Sequence, residues 1–151
     1  MIIAIVTVAI ALLANVLRPK DIKWFRRLER PNWLVFEKLI PVIWCLIFVS
    51  GAVSAHQVWQ REPGTAQTWS LMGGYIVLEL LIVAFSPVML WSRNLRLATG
   101  VGLVGWLWGL IFTILLFSIS WQAACLLIPY LLWGPVGSYT TWELYQLNQS
   151  R

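Results

Sequence analysis

Apolar residues crowd the chain into five long stretches, Ile2–Leu17, Leu39–Trp59, Trp69–Trp91, Leu97–Phe117 and Ser120–Tyr145, with most charged residues between them. A hydrocarbon core about 30 Å thick takes roughly 20 apolar residues per helix. The pattern therefore predicts an all-α membrane protein, a single domain over residues 1–151 with five transmembrane helices. The first stretch is short, and the stems of Arg18 and Lys20 extend it by reaching the interface. Its charges follow the apolar run and no small-residue cleavage site is convincing, so it reads as a span, not a secretory signal. Pro41, Pro87, Pro129 and Pro135 fall inside or at the ends of spans, where neighbouring helices can satisfy the carbonyls they free.

The connections are unequal. Gln60–Thr68 carries the turn signal Glu62-Pro63-Gly64, and the third and fourth connections are so short that their helices must be antiparallel neighbours. The first, Arg18–Lys38, mixes Trp24, Phe25, Pro31 and Trp33 with basic side chains. A segment that long in a compact protein is often a lid or binding loop. An interfacial helix resting on headgroups accounts for the same composition.

Of 151 residues, 60% are hydrophobic and 11% charged, against about 25% charged in soluble domains, and the mean hydropathy is +0.76. The net charge of +5 is distributed by topology. Arg18, Lys20, Lys23, Arg26, Arg27, Arg30, Lys38, Arg93, Arg96 and Arg151 fall on one side of the expected bundle, and Arg61 alone on the other. The positive-inside rule then puts the N-terminus outside, in periplasm or lumen, with the first loop and C-terminus cytoplasmic. No nucleic-acid partner is needed to explain the charge. Cys45 and Cys125 lie at different depths, which argues against a disulfide, and His56 alone supplies no pair of haem or zinc ligands.

Trp24, Trp33, Trp59, Trp69, Trp91, Trp121 and Trp142 fall near expected interfaces, where an aromatic belt explains them. Trp106 and Trp108 point in different directions on one helix, so at most one is expected to line a cavity and the other to meet lipid. Trp44 and Trp133 stand apart. At 1.5 Å rise per residue they lie ~22 and ~20 Å from the outer ends of their helices, in a layer with Asn15, Phe85 and Gly137 beneath the long loop. An aromatic chamber there would suit a planar apolar ligand; two indoles filling the bundle core are the alternative.

Glu79 is the only carboxylate near the midplane, where insertion costs roughly 2.5–3.5 kcal/mol. It reads either as a protonated residue bonded across helices, to Tyr130, Ser50 or a tryptophan of the fourth helix, or as a proton or cation site. Gly105 and Gly109 form a GxxxG pair beside Gly102 and Thr113, and Gly134, Gly137, Ser138 and Thr141 clear one side of the last helix. Such surfaces serve either the bundle or a homodimer.

Two stretches carry a resemblance. Leu127-Ile128-Pro129-Tyr130-Leu131-Leu132-Trp133, continuing through Tyr139 and Trp142 to Leu147-Asn148, is similar to the fifth-helix signature of the translocator protein family, in bacteria the tryptophan-rich sensory protein TspO. Trp24…Leu28-Glu29-Arg30-Pro31-Asn32-Trp33, then Pro41-x-x-Trp44, resembles that family's loop-to-second-helix motif, and Ser86-Pro87 its third-helix proline. The resemblance covers nearly the whole chain and looks most like members from photosynthetic bacteria and plants.

It implies a five-helix bundle, often dimeric, that binds porphyrins and, in some members, cholesterol or synthetic benzodiazepine-site ligands under the first loop, which acts as a lid. Carried over by motif, Trp44 and Trp133 are pocket walls, Phe48 lies one turn beyond Trp44, and Gly137 stands at a small position where ligand approaches. Phe25 follows Trp24 where some members carry a tyrosine. The chain departs from the family at Trp33-Leu34-Val35-Phe36, which lacks two prolines, and at Ile82 and Phe85, which replace an Asn…Trp pair. No basic residue follows Tyr139 until Arg151, so the cholesterol-recognition pattern is missing.

The resulting expectation is a membrane-embedded receptor, sensor or carrier for tetrapyrroles such as protoporphyrin IX or haem, without an obligatory cofactor. The macrocycle would stack on Trp44 and Trp133 while Arg26, Arg27 or Arg30 of the loop meets its propionates. Light-dependent porphyrin breakdown, which the resemblance implies for some members, and a structural role in a larger membrane complex are the alternatives.

Overall fold

The computed structural model describes residues 2–13 and 19–149, and these are helical with short connections. The helices are α1 (Ile2–Leu13), α2 (Pro19–Arg26), α3 (Ile40–Arg61), α4 (Ala66–Ser92), α5 (Leu95–Phe117), α6 (Trp121–Cys125) and α7 (Ile128–Leu147), and a 3-10 turn at Glu37–Leu39 leads into α3. Among the described residues, three helical segments, Glu37–Arg61, Ala66–Ser92 and Leu95–Phe117, are long and apolar enough to cross a membrane. The described part of α1 is apolar but 12 residues long. Helix α7 has 20 residues, with Thr140, Thr141 and Glu143 interrupting its apolar run.

The expected span Ser120–Tyr145 is instead two helices, α6 and α7. Pro129 is the reason: it offers no N–H to the Cys125 carbonyl, and its ring crowds that position. It sits at the start of α7, where the missing donor costs nothing. Helix α4 starts three residues before the expected Trp69, because the Thr65 hydroxyl caps it by accepting from the Thr68 N–H at 3.2 Å.

Helix α5 packs extensively on α4 and α7, whereas α3 touches each of its neighbours more lightly. Glycines explain the close approach. A Cβ on Gly109 would stand 2.5 Å from the Tyr130 ring, one on Gly105 3.1 Å from the Tyr130 hydroxyl, and one on Gly134 2.6 Å from the Trp106 ring. The small-residue stripes therefore build the α5–α7 seam within the bundle. Trp106 and Trp108 both differ from expectation, since each indole N–H bonds a carbonyl on a neighbouring helix, Leu131 at 2.9 Å and Gly74 at 3.2 Å. Neither lines the tryptophan cleft described below, and neither is given over to lipid.

Polarity is inverted relative to a water-soluble globule. Val42, Leu46, Val104, Leu107, Ile111 and Ile114 are exposed, while Ser54, Thr68, Thr113, Ser138 and Thr141 are buried. Buried hydroxyls mostly find partners. Ser54 donates to the Ala123 carbonyl at 2.7 Å and so accepts from Tyr75 at 2.6 Å, joining α3, α4 and α6.

The first connection is neither a bare loop nor only an interfacial helix. It begins with α2, whose Asp21 is buried and paired with Arg93 at 3.1 Å. Beyond α2 the chain is fastened to α7. The Glu29 N–H donates to the Asn148 side chain at 3.0 Å, Asn148 returns a bond to the Glu29 carbonyl at 3.2 Å, and the Trp33 indole donates to Glu143 at 2.5 Å.

Candidate ligand-binding site

Trp44, Phe85, Trp133 and Gly137 line one cleft, as depth along the helices predicts. Its wall is made by the tightly joined α4, α5 and α7, which contribute Ile82, Gly102, Tyr130 and Ser138 among others. Trp44 is the sole lining residue from α3. The lightly held helix thus places one large indole against a rigid wall.

Gly137 is the bare spot in that wall. A Cβ there would meet nothing within 4 Å, unlike those on Gly102, Gly105 and Gly134. Beside it the Ser138 hydroxyl is buried and has no hydrogen-bond partner. The space between its walls is about 40 Å³, room for a few waters. The cleft is narrow and half open, and enclosing anything larger requires Trp44 or Trp133 to move.

The loop residues Trp33 and Phe36 cover α7 next to the cleft. Trp33 stacks on Tyr139 with ring centroids 5.9 Å apart, and Phe36 meets Trp133 edge-on at 6.2 Å. The remaining loop candidates lie elsewhere. Trp24, Phe25 and Leu28 pack on the cluster of Met89, Leu90, Leu95, Ala98 and Leu144, outside the cleft. Pro31 is buried and Arg26 exposed. Arg30 pairs with Glu37 at 3.1 Å, donates to the Phe25 and Leu28 carbonyls at 3.1 and 3.4 Å, and lies over the Phe25 ring. Its guanidinium is occupied in satisfying the chain as it turns away from α2.

Phe48, expected in the pocket, contacts Trp44 at 6.3 Å but faces a separate space with Glu79, Tyr75 and Tyr130. Asn15 lies outside the described residues. Glu79 is bonded across helices, but its partner is Thr7 of α1, which donates to it at 2.6 Å, and not one of the expected donors. Tyr130 and Ile82 line both the Glu79 space and the cleft. Residues not anticipated as site-forming are Ser138 and the ties Asp21–Arg93 and Glu29–Asn148. A one-dimensional pattern carries no signal for contacts between residues 72 or 119 positions apart.

A sequence model of the TspO/MBR family matches residues 2–147. The chain belongs to this family. It is 28% identical over 147 residues to the tryptophan-rich protein TspO of Bacillus cereus, covering 97% of this chain and 95% of that one. The tryptophan-rich sensory protein of Cereibacter sphaeroides is 24% identical over 132 residues, 87% of this chain and 81% of its own. The translocator protein of Bos taurus is 23% identical over 139 residues, 91% and 82% respectively. TspO/MBR membership together with the apolar helices makes this an integral membrane protein of the sensory or translocator kind. In this TspO/MBR chain the cleft walls Trp133 and Gly137 and the loop anchor Glu143 belong to one helix, α7.

Proposed function

We propose that this TspO/MBR protein binds tetrapyrroles, as a receptor or carrier, in the cleft between α3 and the α4–α5–α7 wall. The observation that carries the reading is the meeting of Trp44 and Trp133 in one cleft opposite the bare Gly137. Aromatic faces on a planar macrocycle give large apolar contact with a preferred geometry. A tetrapyrrole is far larger than 40 Å³, so its enclosure is coupled to withdrawal of Trp44 with α3, the helix with the lighter contacts. Among the described lining residues the one side chain of a kind that ligates haem iron is Tyr130.

In this reading α1 and α7 complete a five-span bundle with the N-terminus outside, which the ten-to-one distribution of basic residues supports. The first loop is the lid, fastened by Trp33 and Asn148, and the exposed Arg26 is its cation available to propionates. The test is titration of the protein in nanodiscs with protoporphyrin IX in dim light, following tryptophan fluorescence beside a Trp44→Phe/Trp133→Phe variant. Saturable quenching lost in the variant supports the assignment. Linear quenching shared by both proteins means partition into lipid and rejects it.

A further inference from the structure

A second cavity, unconnected with the tryptophan cleft by any shared lining residue, opens where α2 meets the ends of α4 and α7 and the start of α5. It is an open groove of about 750 Å³, within the range of ligand sites. Its lining combines apolar Trp24, Leu28, Leu95 and Tyr145 with Arg27 and Arg93, and among the described residues it holds no carboxylate.

The two arginines are prepared differently. Buried Asp21 takes Nε and Nη2 of Arg93, at 3.4 and 3.1 Å, which fixes the guanidinium and leaves Nη1 uncommitted. Arg93 also holds φ at 49°, a left-handed conformation that favours glycine and charges a penalty to any side chain. That conformation is the C-cap that ends α4. The Arg27 guanidinium makes no hydrogen bond or ion pair with any described residue. A third guanidinium, that of Arg96, lies 4.4 Å over the Tyr145 ring.

We propose that this cavity binds the headgroup of an anionic phospholipid, its phosphate held between Arg27 and Arg93 and its glycerol and upper acyl chain against Trp24, Leu28 and Leu95. Guanidinium forks match phosphate oxygens in geometry and charge. The apolar part of the lining distinguishes a lipid from free phosphate, which would leave those side chains in water. The exposed Lys20, Lys23 and Arg26 of α2 attract an acidic leaflet to the same end of the bundle.

The experiment is native mass spectrometry of the full chain, titrated in detergent with dioleoyl phosphatidylglycerol or dioleoyl phosphatidylcholine. One phosphatidylglycerol should be retained at a concentration about fivefold or more below that needed for phosphatidylcholine, the size of one charge contact at a membrane surface. Arg27→Gln should abolish most of that preference. Arg26→Gln, which removes the same charge outside the cavity, should keep it, and Arg27→Lys should fall between. Equal retention of the two lipids, or equal losses in Arg27→Gln and Arg26→Gln, overturns the proposal in favour of diffuse attraction. Displacement by inorganic phosphate but not by chloride at matched ionic strength also overturns it, and makes the cavity a free-phosphate site.

Discussion

The Trp106 indole N–H donates at 2.9 Å to the carbonyl of Leu131, the one acceptor that Pro135, four residues on and without an N–H, leaves empty within α7. A proline inside one helix is thus compensated by a tryptophan of its neighbour. Trp106→Phe should lower stability by about 1–3 kcal/mol, the cost of a buried acceptor left unsatisfied. Pro135→Ala restores the helical donor, so the same substitution should cost distinctly less in that background. Thermal unfolding of the four proteins in one detergent closes the cycle, and strict additivity would show that the two residues act separately.

The glycines separate packing from binding. Gly109→Ala drives a methyl into the buried Tyr130 ring and should cost about 1–3 kcal/mol by overpacking. Gly137→Ala meets open space and should instead gain about 0.5–1 kcal/mol of helix stability. Gly137→Leu should fold and weaken protoporphyrin affinity on the order of tenfold, about 1.4 kcal/mol, by filling the cleft. Undiminished affinity in a folded Gly137→Leu protein would move the ligand elsewhere.

Glu79 accepts a hydrogen bond from Thr7, and an amide oxygen accepts equally well. Glu79→Gln should therefore unfold within a degree or two of the parent, whereas Thr7→Val or Glu79→Leu should be destabilised by about 1 kcal/mol or more. Should Glu79→Gln keep its stability yet lose ligand accumulation in vesicles, the carboxyl has a role in proton or cation movement and is more than a tie between α1 and α4.

Releasing the loop should be visible without any ligand. Asn148→Ala removes both bonds to Glu29, each worth about 0.5–1.5 kcal/mol, and trypsin cleavage at Arg26 and Arg27 should accelerate roughly tenfold when opening is in equilibrium. Asn148→Asp keeps the acceptor for the Glu29 N–H and should lie between. Cleavage rates equal across the three proteins would mean that Trp33 and Glu143 hold the loop by themselves.

Much of this was legible in the sequence because a membrane reduces folding to length and depth. Uninterrupted apolar runs marked α3, α4 and α5, and a rise of 1.5 Å per residue was enough to bring Trp44, Phe85, Trp133 and Gly137 into one layer. Depth says nothing of azimuth, however. Phe48, one turn from Trp44, faces the Glu79 space instead, and Trp106 and Trp108 turn to carbonyls on two different helices. The split of the last span was written in Pro129, which the general tolerance of membrane helices for proline concealed. The role of Arg30 was hidden too, since a free cation and one tied to its own turn read alike in one dimension.

Helix α7 is about 30 Å long at 1.5 Å per residue, with Trp133 and Gly137 in its middle and the loop contacts Tyr139, Glu143 and Asn148 towards its C-terminal end. It is a shaft with a handle. A few degrees of rotation forced on it by a molecule wedged beside Trp133 carries the first loop along, because the fastenings of that loop turn with the shaft. On the proposed reading, a ligand held in the cleft would in this way be felt at the far end of the same helix, in a loop that never touches it.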